Sequence, residues 1–313
     1  MTDRTRGLIF GVTAYALWGL FPLYFPLLEA AAPVEILAHR IVWSFVVLIL
    51  IAIIGRRMRA ILRAARDRRL MALLVAAAVT IALNWGFFIY GVNSEQVVQT
   101  SLGYFINPLV SVFFGVVLLH ERLRRAQWAA VGLGAGAVIV LSFGYGGVPW
   151  LALVLALSFG TYGLIKKVLD MGAVESVSIE TAILLPVAAS YLMYLSLVGR
   201  GEWTASGSPT TLLLITTGVI TVVPLLLFGA AATRIPLTWI GLLQYTTPVI
   251  QFAIGVAIVD ESMPAVRWVG FALVWIALIV LAADSVRAGL ASTSTHDDGV
   301  AQRLEGGLGG TSR

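Results

Sequence analysis

Leu102–Glu121 reads LGYFINPLVSVFFGVVLLHE, an apolar helix interrupted near its middle by Asn107-Pro108 and closed by His120-Glu121. The stretch Leu242–Glu261, LLQYTTPVIQFAIGVAIVDE, echoes it 140 positions later. Pro108 and Pro248, Gly115 and Gly255, and Glu121 and Glu261 fall in one register, with Trp128 and Trp268 following in step. A proline inside an apolar helix removes a backbone hydrogen bond that lipid cannot replace. Two such prolines in register read as one repeat used twice.

Composition sets the class. The chain has 313 residues, 59% of them hydrophobic and only 12% charged, where a soluble domain carries about 25% charged residues. So much apolar surface is covered by lipid, and the expected fold is an all-α polytopic membrane protein. There are no cysteines, which excludes disulfide frameworks, thiolate metal sites and cysteine nucleophiles. The formal charge of +5 resembles a nucleic-acid footprint. In a membrane protein, however, excess arginine marks cytoplasmic loops, and no nucleic-acid partner is expected. The apolar run after Thr2–Arg6 lacks a small-residue cleavage site and reads as a retained helix.

Ten spans follow from segments of about 20 apolar residues. They run near 7–28, 34–54, 70–92, 97–119, 127–143, 149–165, 177–198, 209–232, 237–259 and 266–283. Gly132, Gly134 and Gly136 in the fifth span suggest close helix packing. The segment 55–69 is a basic loop with seven arginines, and the tail 285–313 is expected to be disordered. Eighteen of the 21 Lys and Arg residues fall in alternate loops and the termini. The positive-inside rule then places both termini in the cytoplasm. An offset of five helices is odd, so the second copy enters the membrane inverted, the plan of secondary transporters. The expected units are 1–144, 145–284 and the tail 285–313.

Enzyme signatures are absent. The three histidines are His39, His120 and His296, and the sequence holds no metal-ligand pair at helical spacing, nucleophile elbow or phosphate loop. No cofactor and no metal are expected. Pro108 leaves the Tyr104 carbonyl without its usual donor, and Pro248 does the same to Gln244. These carbonyls mark either plain kinks or a polar cavity lined by Tyr104, Asn107, Gln244 and Tyr245.

Ionisable groups inside spans are functional candidates by default. Arg40 and Glu180 match at the same offset, so the symmetry puts them in opposite leaflets and argues against a direct ion pair. Glu35 or a carbonyl is the expected partner of Arg40; a helix N-terminus or Lys167 is that of Glu180. Either residue serves as a gate, a substrate contact or a structural charge. His39 is a packed neutral ring or a proton carrier. Asn84 and Gln251 read as interhelical hydrogen-bonding groups or cavity lining. Tyr15, Trp18 and Tyr162 read as packing or cavity walls. Glu121 and Glu261 read as helix-end residues beside Arg125 and Arg267.

At these residues the sequence resembles the RarD-type proteins of the drug/metabolite transporter superfamily, built from two EamA-type repeats. AYALWGLFPLY, EILAHRIVWS, NWGFFIYGVN, SLGYFINPLVSVFFG and HERLRRAQW carry the likeness in the first half. SFGTYGLIKK, SIETAILLPVA, VVPLLLFGAAAT and GLLQYTTPVIQF carry it in the second. It covers about residues 7–284. The resemblance implies a ten-helix inner-membrane protein that moves small organic solutes without ATP by alternating access, and the expected reading is an exporter of small amphipathic solutes. Its cavity would be lined by Tyr15, Trp18, Asn84, Tyr104, Asn107, Tyr162, Gln244 and Tyr245. Pro26 stands where the family often has Lys. The expected partners are a small-molecule substrate and the lipid bilayer; a homodimer stays open. A non-transporting scaffold or sensor is the alternative reading.

Overall fold

The computed structural model describes residues 2–119, 123–169, 171–204 and 209–284. His120, Glu121 and the tail 285–313 lie outside them. The described chain is all-helical: α1 Asp3–Gly19, α2 Phe21–Tyr24, α3 Pro33–Ile54, α4 Met58–Ala64, α5 Arg68–Asn93, α6 Val97–Leu119 and α7 Arg125–Gly144. Then come α8 Trp150–Leu169, α9 Ala173–Leu197, α10 Pro209–Ala232, α11 Leu237–Leu243, α12 Thr246–Ala257 and α13 Ala265–Asp284. Among the described residues nine helical spans are long and apolar enough to cross a membrane, and the bent pair at the N-terminus makes ten. Phe143 and Leu197 stand 80% and 79% exposed, as a lipid-facing surface requires.

Local chemistry explains the ends. Asp67 caps α5 by accepting from the Arg69 and Leu70 amides at 2.8 and 3.1 Å. Pro33 opens α3, where a missing N–H is harmless. Three segments depart from the sequence reading. The first span is not continuous: α1 stops at Gly19, and Pro22 and Pro26 turn 21–28 by 42°. The basic loop contains α4, whose Ile61 is buried among apolar neighbours. The ninth span breaks into α11 and α12 at Gln244-Tyr245.

That break changes the meaning of the paired prolines. Pro248 lies in the first turn of α12, where backbone N–H groups lack helical partners anyway. Pro108 sits inside an unbroken α6. The sequence predicts a matched pair of kinks; the structure has one proline inside a helix and one at a helix start.

The packing exchanges elements between the halves. α1 lies on α10 and α12, while α8 lies on α5 and α6. α3 packs on α9, and α6 packs on α12. A β-carbon on Gly19 would come within 2.8 Å of Ile250, and one on Gly160 within 2.8 Å of Val110. Ile250 and Val110 are 140 positions apart and Gly19 and Gly160 are 141 apart, so each half has a similar glycine contact at nearly matching positions. In the glycine-rich α7, Gly132 and Gly136 have nothing within 4 Å of a would-be β-carbon, and Gly134 alone of the three meets a neighbour, Leu109. The expected close packing there is limited to that one position.

The tightest backbone contact joins α3 and α10, where a β-carbon on Gly218 would lie 2.6 Å from the Trp43 carbonyl oxygen. Backbone cannot swing away, so Gly218→Ala is expected to destabilise the folded protein by about 1–3 kcal/mol. Gly132→Ala should leave the melting temperature unchanged. Thermal unfolding in detergent, followed by size-exclusion chromatography, checks both.

Candidate functional site

Two charged positions, one in each half, anchor the interior. Glu180 is fully buried and accepts from Lys166 Nζ at 2.8 Å and from the Tyr162 hydroxyl at 3.0 Å. Lys166 also donates to Ser176. The neutralising partner is therefore Lys166, not Lys167 or a helix terminus: on α8, Lys166 faces α9 while Lys167 is exposed. Tyr162 is a hydrogen-bond donor to this pair rather than a simple wall.

Arg40 is treated differently. It is 3% exposed, its Nε donates to Thr221 Oγ1 at 2.9 Å, and its Nη1 has no hydrogen-bond partner. The guanidinium carbon lies 4.2 Å from the centroid of the Trp85 ring and 5.4 Å from that of Phe21. Glu35, its expected partner, accepts instead from the Glu202 amide at 2.8 Å, and ties down the 202–204 turn. Arg40 and Glu180 make no ion pair among the described residues.

Between these positions runs a file of aromatic rings. Phe21 touches Phe25 at 5.7 Å, Phe25 touches Phe88 at 6.0 Å, and Phe88 touches Tyr104 at 5.8 Å. Tyr104 then touches Phe159 at 5.8 Å, and Phe159 touches Tyr162 at 6.3 Å. Tyr104 donates to Asn84 Oδ1 at 3.1 Å, and Asn84 Nδ2 donates to the Leu155 carbonyl and Ser158, each at 3.1 Å. Of the expected lining residues, Asn84, Tyr104 and Tyr162 thus come together along this file. Asn107 stands beside it on α6, 8% exposed, with Oδ1 unpartnered and 3.4 Å from a would-be β-carbon on Gly160.

The other expected residues form a separate seam. Tyr15, Trp18 and Phe228 contact one another at 5.5–6.0 Å. Thr247 donates to the Tyr15 carbonyl at 2.7 Å and Gln251 to the Trp18 carbonyl at 3.3 Å. Tyr104 and Thr247 do not face each other across a shared cavity; each is satisfied by its own neighbours. Gln244 and Tyr245 mark the helix break, with Tyr245 packed against the cluster containing Phe105 and Phe271.

Two clefts lie away from these groups. One, of about 300 Å³, lies between α3 and α9 and contains His39, stacked on Trp203 at 5.3 Å with neither ring nitrogen hydrogen-bonded. The other, of about 610 Å³, gathers the turns before α6, α8 and α13 and is lined by Glu95, Gln99, Tyr145, Asp260, Glu261 and Arg267, among others. Glu261 is more than the expected end marker beside Arg267. It accepts from the Val98 amide at 2.7 Å and so joins the α12–α13 turn to the start of α6. Arg267 turns instead to the Gly144 and Ser262 carbonyls and the Tyr145 ring. Burial pushes the Glu261 carboxyl up to about 7, against the opposing pull of the Val98 and Val97 amides and Arg267. Neither the apolar pattern nor the helix-end position announces this link; the one sequence signal for it is the register match to Glu121.

A bundle of this kind, with charged groups buried at helix seams and an apolar exterior, defines a multi-pass membrane protein of the transporter class. The chain belongs to the EamA-like transporter family. That family's model matches residues 5–143. Protein RarD of Streptomyces exfoliatus is 52% identical over 285 residues, 91% of this chain and 90% of the relative. Protein RarD of Escherichia coli is 38% identical over 281 residues, covering 90% and 95%. The uncharacterized transporter YojE of Bacillus subtilis is 38% identical over 295 residues, covering 93% and 98%. A solved crystal structure with 18% identity shares the fold at a TM-score of 0.57 over 91% of this chain and 99% of its own.

Two outcomes are expected at these charges. Lys166→Met strands Glu180 in the interior and should cost about 3 kcal/mol, with Lys166→Met/Glu180→Gln recovering most of the loss in a double-mutant cycle of thermal melts. Glu261 takes up a proton more readily folded than unfolded, since its folded value of about 7 exceeds the ordinary 4.5. Its contribution is therefore full below the ordinary value and is lost as pH rises through about 7. Glu261→Gln should flatten the melting temperature between pH 5 and pH 8 and raise it at the upper end.

Proposed function

We propose that the protein is a secondary carrier of small amphipathic organic solutes, working by alternating access in the inner membrane. The observation that carries this reading is the aromatic file joining Arg40 to the Tyr162–Glu180–Lys166 group. It is a buried run of rings packed edge to face with polar groups at both ends, the kind of surface that would meet an amphipathic solute once the halves move apart. The repeated glycine contacts support units of 1–144 and 145–284 that rock against each other, and an inverted pair places a substrate site near the midplane. That YojE of Bacillus subtilis and a Vibrio cholerae relative are uncharacterized transporters supports the class. The arginine-rich alternate loops support cytoplasmic termini, and export is the direction we assign. Tyr104, Asn84 and Asn107 are the contacts we assign to solute.

Flux in proteoliposomes with and without a pH gradient tests the mechanism: equal rates would rule out proton coupling through His39, Glu180 or Glu261. Asn107→Ala should lower solute binding about tenfold, the worth of one hydrogen bond, with little change in the melting temperature. Unaltered affinity would return Asn107 to a packing role.

A further inference from the structure

Arg40 is a buried cation that no carboxylate meets among the described residues, and the buried Glu35 is turned away from it. Of the two buried charges related by the repeat, Glu180 is cancelled by Lys166 at 2.8 Å, and Arg40 is cancelled by no carboxylate among the described residues. The nearest acidic residue in sequence, Glu35, is engaged with the 202–204 turn. A cation buried in a membrane helix costs about 2.5 kcal/mol or more unless an opposite charge meets it. Ring faces and one hydroxyl recover part of that cost, and the bidentate side of a guanidinium is shaped for an oxyanion. Here the Trp85 ring covers one face, Thr221 takes Nε, and Nη1 is left unused at the end of the aromatic file.

We infer that the transported solute is an organic anion, its carboxylate or similar oxyanion paired with Arg40 Nη1 and its apolar body lying on the rings from Phe21 to Tyr104. This rests on the carrier reading and adds the charge of the substrate. Binding neutralises the buried cation, so the solute stabilises the closed arrangement through a term that a neutral analogue lacks. On the Glu180 side, Lys166 is already paired, so the fixed positive charge stands at the Arg40 end alone.

The test uses the purified full chain and a panel of aromatic carboxylic acids, each beside its primary amide, with wild type, Arg40→Met and Arg40→Lys. Expected are three results: carboxylates raise the melting temperature of wild type while their amides do not; Arg40→Met weakens carboxylate binding about a hundredfold, as losing one partner of a buried charge pair does; and unliganded Arg40→Met melts no lower than wild type, because the cation it removes was uncompensated. Arg40→Lys keeps the charge without the fork and should bind between the two. If no carboxylate stabilises wild type, if amides match their acids, or if Arg40→Met keeps the response, the inference is overturned. If Arg40→Met melts well below wild type, the guanidinium is a structural anchor and the inference is likewise overturned. Proteoliposome flux separates the two readings: amide transport unchanged by Arg40→Met removes the anion and leaves the carrier, whereas carboxylate binding without any flux removes the carrier and leaves the site.

Discussion

Apolar helices gain nothing by leaving lipid for one another, so this bundle depends on how closely its backbones approach. Gly19 against Ile250 and Gly160 against Val110 supply that approach at nearly matching places, and Gly218 supplies it against the backbone of Trp43. Because α1 reaches into the second half and α8 into the first, each half is held by an element of the other. The seams so created are where Arg40, Asn84, Asn107 and Glu180 are buried.

The same architecture puts two charges in equivalent positions and settles them by different means. Glu180 meets an ammonium and a phenol, which leaves the site neutral. Arg40 meets rings and a hydroxyl, which soften the cost of burial without cancelling the charge. A repeat with identical chemistry in both halves would hold a symmetric interior; this one is polarised along the aromatic file.

Much of the fold was legible in local pattern. The spans 97–119 and 209–232 have the ends that the apolar runs predict, and both helices run unbroken through an internal proline, Pro108 and Pro224. The first and ninth spans break because two prolines crowd 22–26 and because α12 restarts just before Pro248, neither of which hydropathy registers. The site was half legible. Arg40, Glu180, Asn84 and Tyr104 stood out as polar groups in apolar helices, yet their partners did not: Asn84 bonds a carbonyl 71 positions away and Thr247 one 232 positions away. Glu261 reads in the sequence as a helix-end residue beside Arg267, because its actual partner is a backbone amide of another helix, which no side-chain pattern records.

Composition, hydropathy and the 140-residue echo determined by themselves that this is an all-helical membrane chain of repeated design, because lipid admits few backbone solutions and each helix satisfies its own backbone. Which charge is cancelled, which carbonyl is used and where a helix breaks were decided by tertiary structure alone. Those outcomes turn on distances of about 3 Å between side chains far apart in sequence, and hydrogen bonds discriminate on that scale.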